Sequence, residues 1–170
     1  MEASTATQGF SAKEFRSALG SFATGITVVT TMGDEHGYGM TANAFSSVSL
    51  DPPLVLVCVI SGSDGAEHIR SNRCFAVNIL AAEQEPISRY FSSKERPKGR
   101  DAFSEVSHRT EATGSPILDG CVSFLDCGLH VTLQAGDHDI FIGEVLALGV
   151  NPDAKPLLFA GGGYAQVAES

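Results

Sequence analysis

The segment Met40–Ser47, MTANAFSS, carries mostly small hydroxyl, amide and methyl side chains. Small residues let a flat ligand approach the backbone, and hydroxyl and amide groups hydrogen-bond carbonyls, ring nitrogens or phosphate oxygens. A β-strand with one solvated face explains the same residues equally well. The chemistry of these residues alone therefore leaves both interpretations open.

The overlapping stretch Gly37–Ala42, GYGMTA, matches the G-x-G-x-x-A pattern of dinucleotide-binding loops. That pattern binds a pyrophosphate only where a helix follows at once, because the helix N-terminus faces the anion. Here the following residues are β-like and are then interrupted by Pro52 and Pro53. The sequence therefore predicts no site of the Rossmann type.

A basic cluster occupies a polar loop predicted for residues 92–101. Four of the eleven Lys and Arg residues, Lys94, Arg96, Lys98 and Arg100, lie there in a chain of net charge −9. Such a local excess could hold a phosphate or an adenylate tail. A solvated surface loop is the alternative.

His138 ends a predicted hairpin turn, AGDH, that begins at Ala135. The turn accounts for the glycine and the aspartate without any function. It does not account for the histidine, which could donate to a carboxamide or phosphate or carry a proton. A solvated turn histidine remains the simpler interpretation.

The four cysteines stand in apolar runs without a C-x-x-C pair, so we interpret them as buried apolar side chains and predict no metal site. The net charge of −9 disfavours nucleic acid as a partner. We find no signal peptide, and the longest apolar run, Leu54–Ile60, is far shorter than a membrane span. We therefore expect a cytoplasmic protein with no membrane partner.

Few helices are predicted. Ser11-Ala-Lys-Glu14 has the form of a capping box, and the following apolar spacing predicts a helix with one apolar face that ends near Gly25. Ser63 is expected to cap a short helix that runs through Asn72. A further helix is expected at residues 83–93.

The rest of the pattern is typical of strands. They are expected at residues 26–31, 40–50, 54–60, 74–80, 121–134, 140–150 and 157–160, and Leu54–Ile60 is expected to be covered on both faces. Residues 1–10 are predicted to be a flexible tail and residues 11–170 a single domain. Six or seven strands with few helices predict a mainly β fold, a closed antiparallel barrel.

Five segments, in order, resemble the short-chain flavin reductases, the reductase components of two-component flavin monooxygenases. They are FRSALGSFATGITVVTT (15–31), GMTANAFSSVSLDPPLVLVCV (39–59), FAVNILAAEQ (75–84), GDHDIFIGEV (136–145) and PLLFAGGGY (156–164). The resemblance implies a homodimeric split β-barrel of Greek-key type that binds FAD or FMN, with FAD favoured, and uses NADH or NADPH.

The resemblance also implies the site residues. Flavin contacts fall on Met40, Thr41, Ala42, Asn43, Ala44, Ser46, Ser47, Cys58, Val59, Ile60, Ser61, Asn78, Leu80, Ala81 and Gln84, with Arg100 and Phe103 toward the phosphate end. His138 would contact the nicotinamide as the catalytic residue, and Tyr164 would help to close that site. The chain departs from the family at Ala44, often serine, and at Ala102-Phe103, commonly Arg-Phe.

The implied activity is hydride transfer from NAD(P)H to flavin, with free reduced flavin passed to a partner monooxygenase. The electronic chemistry is the flavin's own, so no nucleophile or strong base is required. Two alternatives share the fold: a non-catalytic flavin-binding protein, and an oxidase resembling pyridoxamine-phosphate oxidase.

Overall fold

The computed structural model describes residues 9–34 and 36–168. The predicted tail therefore lies mostly outside the described residues. The α-helices of the described residues are α1 (Ala12–Gly20), α2 (Asp64–Asn72) and α3 (Glu85–Ser92), and two 3₁₀ helices span Ala82–Gln84 and Gly99–Phe103. The described strands are β1 (Thr24–Gly25), β2 (Thr27–Met32), β3 (Gly37–Ala42), β4 (Phe45–Leu50), β5 (Pro53–Ile60), β6 (Cys74–Ile79), β7 (His108–Thr110), β8 (Pro116–Leu118), β9 (Ser123–Ala135), β10 (His138–Val150), β11 (Leu158–Ala160) and β12 (Gly163–Ala165). The mainly β fold with a few short helices is confirmed.

One antiparallel sheet of seven strands, in the order β3-β2-β6-β9-β10-β5-β4, forms the body of the molecule. Its end strands, β3 and β4, are consecutive in the chain and are separated only by Asn43 and Ala44. Three Cα–Cα steps place Ala42 and Phe45 at most about 11 Å apart, so the sheet must curl until its two ends meet at this bend.

The sequence predicted a closed barrel, but the described strands of the sheet do not pair into a closed ring. In the described part of the chain no hydrogen-bonded ladder joins β3 to β4, and the polypeptide itself connects the two ends. The extended run predicted for residues 40–50 is accordingly two strands, because the chain turns from one sheet end to the other at Asn43–Ala44.

The glycines of the GYGMTA segment serve strand packing. Gly37 and Gly39 lie in β3, where a Cβ would come within 2.6 Å of Met32 and of the Phe91 ring, respectively. A strand, not a helix, continues from them, as the sequence predicted. These glycines let α3 and its neighbours approach the strand closely.

Helix α1 differs from its prediction. The capping box is present, with Ser11 and Glu14 each bonding the other's backbone, but the helix ends at Gly20 rather than near Gly25. None of its residues is buried, and Phe15 and Leu19 remain 51% and 57% exposed. Amphipathic spacing predicts an apolar face correctly but does not say whether the same chain covers it.

Strand β5 is covered on one face only. Val55, Val57 and Val59 are buried, whereas the alternate residues are half-buried and Ile60 is 60% exposed. The prediction that Leu54–Ile60 is enclosed on both faces is wrong for the single chain. The outward face of β5 is therefore an apolar surface.

Helix α2 is capped as predicted, since Ser63 Oγ accepts from the N–H of Ala66 at 3.3 Å. Its buried Ile69 packs with Phe75 and Phe141 in the core under β5 and β10. A second core, around Ile26, Leu80 and Phe91, lies between β2 and α3. No helix of the described residues is both long and apolar enough to cross a membrane.

Candidate functional site

An open groove of about 230 Å³ runs beside the bend between β3 and β4. It is lined by Ile26, Thr41, Ala42, Asn43, Ser88, Ser92, Phe159 and Tyr164. The structure thus brings Tyr164 next to three residues of the predicted flavin segment. Ser88 and Ser92 were missed by the sequence reasoning, although their i, i+4 spacing places both on one face of a helix.

Hydrogen bonds hold the walls of this groove together. Thr41 Oγ1 donates to the carbonyl of Ser88 at 2.6 Å, which ties β3 to α3. The hydroxyls of Tyr164 and Ser88 are 2.9 Å apart, which ties the β11–β12 hairpin to the same helix. The groove is therefore formed by three elements that are fixed to one another.

The outward face of β5 and β10 forms the second part of the site. His138 pairs with Ile60, and Ile140 with Cys58, across these two strands. Directly paired residues project to the same side of a sheet, so Cys58, Ile60 and His138 share a face. Val59 pairs with Asp139 and is 5% exposed; its side chain faces the core, unlike those of its neighbours.

His138 is held in place by its neighbour. Its Nδ1 is 2.7 Å from Asp137 Oδ1, and this hydrogen bond holds the pKa of Asp137 below its usual value. The histidine side chain is 42% exposed. With Nδ1 engaged, Nε2 is the ring nitrogen that can reach a ligand.

Ser61 lies where β5 leaves the sheet. Its N–H donates to the carbonyl of Asp137 at 3.0 Å, which fixes Ser61 against the turn that carries His138. Its hydroxyl is shielded from solvent and hydrogen-bonds no group of the described residues. An unsatisfied buried hydroxyl costs about 1–3 kcal/mol, so a polar ligand atom at this point is favoured.

The bend connects the groove with the outward face. The N–H of Cys58 donates to the carbonyl of Ala44 at 3.0 Å, and Ser46 pairs with Leu56 on β5. Met40 packs against the core, whereas Asn43, Ala44, Ser46 and Ser47 are exposed. The two halves of the predicted flavin segment thus adjoin around Ala44.

Besides Val59, five predicted contact residues are buried away from these surfaces: Asn78, Leu80, Ala81, Gln84 and Phe103. The Asn78 amide is fully enclosed; it donates to Val28 and Pro116 carbonyls and accepts from the N–H of Leu118. Gln84 bridges the N–H of Ala81 and the carbonyl of Asp119. Leu80 and Phe103 pack in the second core. The structure shows these side chains supporting the fold, and their predicted contact with flavin stays a prediction.

The basic loop borders a second cavity, of about 340 Å³, between β3 and the start of α2. Lys94 and Lys98 are exposed at its rim. Arg96 donates to the carbonyl of Gly39 at 2.6 Å, with its guanidinium 5.1 Å from the centre of the Tyr38 ring. Arg100 points elsewhere: it donates to the carbonyls of Gly33 and Asp34 at 2.9 and 3.1 Å.

The cysteines are all free thiols. Burial raises the pKa of Cys121 and of Cys127 to about 12 and raises that of Cys58 to a lesser extent. No cluster of three or more His, Cys, Asp or Glu side chains suited to a metal occurs among the described residues.

Residues 19–168 match the family described as flavin reductase like domain. The chain belongs to this flavin reductase family. The NADH-dependent FAD reductase of Streptomyces globisporus is 44% identical over 158 residues, which cover 91% of this chain and 85% of that protein. The reductase subunit HsaB of a flavin-dependent monooxygenase from Mycobacterium tuberculosis is 39% identical over 154 residues, 89% of this chain and 80% of HsaB.

A solved structure of a related enzyme has the same fold as this chain. The Streptomyces globisporus C-1027 NADH:FAD oxidoreductase SgcE6, in complex with NAD and FAD fragments, matches with a TM-score of 0.85 at 39% identity. The match covers 92% of each chain. The family resemblance predicted from five sequence segments is confirmed.

Proposed function

We propose that this flavin reductase uses NADH to reduce FAD or FMN by hydride transfer and releases the reduced flavin to a flavin-dependent monooxygenase. The observation that carries the proposal is the 44% identity, over 91% of the chain, to an NADH-dependent FAD reductase. The relation to HsaB, the reductase subunit of a flavin-dependent monooxygenase, supports a monooxygenase as the partner that receives the reduced flavin.

The residues around the bend fit a flat, polar-edged ring system. The orphaned hydroxyl of Ser61 offers a hydrogen bond at one end of the outward face, and Asn43 offers an exposed amide at the bend. Cys58 and Ile60 supply an apolar floor between them. Pockets for such ligands are mainly apolar with a few placed polar groups, which this surface satisfies.

When bound, the flavin supplies the hydride-accepting ring and the nicotinamide supplies the hydride. In our proposal His138 orients the nicotinamide through Nε2, because Asp137 holds Nδ1. Ser61 donates to a carbonyl or ring nitrogen of the flavin, where the negative charge of the reduced form develops. Tyr164, anchored on Ser88, closes the groove at the other end.

The basic loop binds the phosphate end of the flavin in this proposal. Lys94 and Lys98 have exposed ammonium groups at the rim of the 340 Å³ cavity, and Lys98 is only loosely paired with Asp64 at 3.4 Å. Arg96 is engaged with Gly39 and Arg100 with Gly33, so the two lysines are the cations free to move to an anion.

The proposed assembly is a homodimer of split barrels. The outward face of the sheet exposes Ile60, Leu146, Leu148 and Val150 by 56–70%, an apolar surface larger than scattered single residues would give. A second subunit on this face would cover the Cys58–His138 surface and complete the site from two chains. The cytoplasmic location remains a prediction.

Anaerobic stopped-flow tests the activity directly. We expect NADH oxidation only when FAD, FMN or riboflavin is present, and reduced flavin that passes a membrane retaining the protein. Tight flavin binding without NADH oxidation would identify a storage protein instead. Oxidation of an amine phosphate by bound FMN would identify an oxidase of the pyridoxamine-phosphate type. NADPH in place of NADH measures the nicotinamide preference.

A further inference from the structure

Asp139 is a charged residue in the core of the sheet. Its side chain is 2% exposed, on the inner face of β10 directly after His138. Oδ2 lies 2.6 Å from Arg70 Nη2, while no hydroxyl or amide of the described residues hydrogen-bonds this oxygen. A carboxylate so enclosed is tolerated only with a cationic partner, so Arg70 is what keeps Asp139 inside.

Arg70 reaches Asp139 from helix α2. Its side chain is 43% exposed, and its guanidinium carbon lies 5.4 Å from the centre of the fully buried Phe141 ring. The ion pair therefore joins the last turn of α2 to the first residues of β10. The backbone hydrogen bond from the Ser61 N–H to the Asp137 carbonyl joins the start of the β5–α2 segment to the turn that precedes β10.

The pairing specifies which face of β10 His138 occupies. Neighbouring residues of a strand project to opposite faces, and a slip of one residue exchanges the two faces. With Asp139 held inward by Arg70, His138 must project outward beside Ile60. A slipped β10 would leave Arg70 without its carboxylate and turn the histidine toward the core.

We propose that Arg70 and Asp139 are positioning residues that set the register of β10 and so hold His138 on the outward face. The inference rests on the proposed function, in which His138 orients the nicotinamide. Buried polar pairs are best established in this kind of register-setting role. Removing Arg70 leaves the buried charge of Asp139 unpaired and destabilises the fold, so deletion of the arginine alone does not separate positioning from stability.

The decisive variant removes both charges, Arg70→Met/Asp139→Leu, since apolar residues of similar volume can replace a buried pair without loss of stability. We expect a urea midpoint close to that of the wild type and unchanged flavin affinity. We expect kcat/KM for NADH to fall about tenfold or more, because a misplaced His138 loses transition-state contacts. The single variant Arg70→Lys retains the positive charge, so its kcat/KM for NADH should fall less than that of the double variant.

The chain offers a matched control. Arg109 pairs with Asp119 at 3.2 Å and lies 5.0 Å over the Phe124 ring, the same residue types as Arg70, Asp139 and Phe141, but its carboxylate is 48% exposed where that of Asp139 is 2% exposed. Arg109→Met/Asp119→Asn should leave kcat and both KM values unchanged. ¹H–¹⁵N spectra of the histidine rings, with His138 assigned by His138→Gln, should show one sharp His138 signal in the wild type. That signal should broaden or split in the Arg70/Asp139 variant.

The outcomes separate the two proposals. A wild type without NADH-dependent flavin reduction would overturn the proposed function, whatever the spectra show. An active wild type with unchanged NADH kinetics and an unchanged His138 signal in the double variant would overturn the positioning inference. Should the double variant fail to fold, Asp139→Asn decides, because it removes the charge of the ion pair without changing the side-chain volume and leaves only Arg70, which is 43% exposed. A folded Asp139→Asn protein with wild-type NADH kinetics and an unshifted His138 signal also overturns the positioning inference.

Discussion

His138 and Ile60 face each other across β10 and β5, at the point where β5 leaves the sheet toward α2. An imidazole therefore stands at the edge of an apolar surface, with one ring nitrogen held by Asp137. This arrangement suits a histidine that binds a flat ligand through its other nitrogen.

The first prediction concerns this histidine. His138→Ala should lower kcat/KM for NADH roughly 10- to 150-fold, as expected for loss of a charge-assisted hydrogen bond of about 1.5–3 kcal/mol. Flavin affinity should change less than about twofold, because the contact is to the nicotinamide. Stopped-flow kinetics and flavin titration measure the two quantities. His130→Ala, an exposed histidine on the neighbouring strand, is the control. Intact NADH kinetics with weakened flavin binding would move His138 into the flavin site.

The second prediction separates the cations of the basic loop. Lys94→Gln/Lys98→Gln should raise KM for FAD and FMN about 5- to 30-fold, since about 1–2 kcal/mol of attraction to phosphate is lost. Riboflavin, which has no phosphate, should bind as before. Arg100→Gln is the matched control, because its guanidinium bonds the carbonyls of Gly33 and Asp34 away from the cavity. Equal losses for all three flavins would show that the loop is only a solvated surface.

The third prediction concerns assembly. Leu146 and Leu148 are 56% and 64% exposed on β10, so we expect a second subunit to cover them. Sedimentation velocity of the wild type should give twice the chain mass of 17.8 kDa, and Leu146→Glu/Leu148→Glu should give single chains with little activity. Val167→Glu changes an exposed apolar residue elsewhere and should remain dimeric. A wild type that sediments as one chain would remove the dimer and the two-chain site with it.

The fourth prediction is a pH dependence of stability. Burial raises the pKa of Cys121 and Cys127 to about 12 from 9.0, so the folded protein keeps these protons while the unfolded chain releases them. The contribution is therefore fully present below pH 9 and is lost as the pH rises. Between pH 8 and pH 10 each thiol should cost about 1.4 kcal/mol of unfolding free energy.

Urea unfolding at pH 8, 9 and 10 measures this loss. The wild type should lose about 2.7 kcal/mol more than Cys121→Ala/Cys127→Ala over that range. Parallel pH profiles for the two proteins would show that the thiols are not protected by burial. Tyrosine and lysine titrations affect both proteins alike, so the difference reports on the cysteines.

Local patterns predicted the secondary structure well. The Ser63 cap and the Ser11–Glu14 capping box both depend on residues a few positions apart, and both are present. The β-branched residues of β2 form a strand for the same local reason. What covers an apolar face depends on distant residues, which is why the exposure of α1 and of the outer side of β5 was not predicted.

The candidate site was only partly predictable. Thr41 and Asn43, which the resemblance assigned to the flavin, and Tyr164, which it assigned to the nicotinamide site, line one groove, and Ser88 joins them only because α3 docks against β3. Asn78 has the chemistry of a ligand-binding amide, yet β8 covers its side of β6 and bonds the amide through the Pro116 carbonyl and the Leu118 N–H, so it is a core residue. Residue type indicates what a side chain can do, and burial decides whether a ligand can reach it.

The two-residue bend at Asn43–Ala44 also constrains how the chain folds. The strands it joins occupy opposite ends of the sheet, so the groove beside the bend is complete only when β2, β6, β9, β10 and β5 are paired between them. Several of these pairings, such as β2 with β6, are distant in sequence, and folding dominated by such contacts takes milliseconds to seconds. The candidate groove beside the bend therefore exists only in the assembled sheet, and a ligand that binds there stabilises the folded state as a whole.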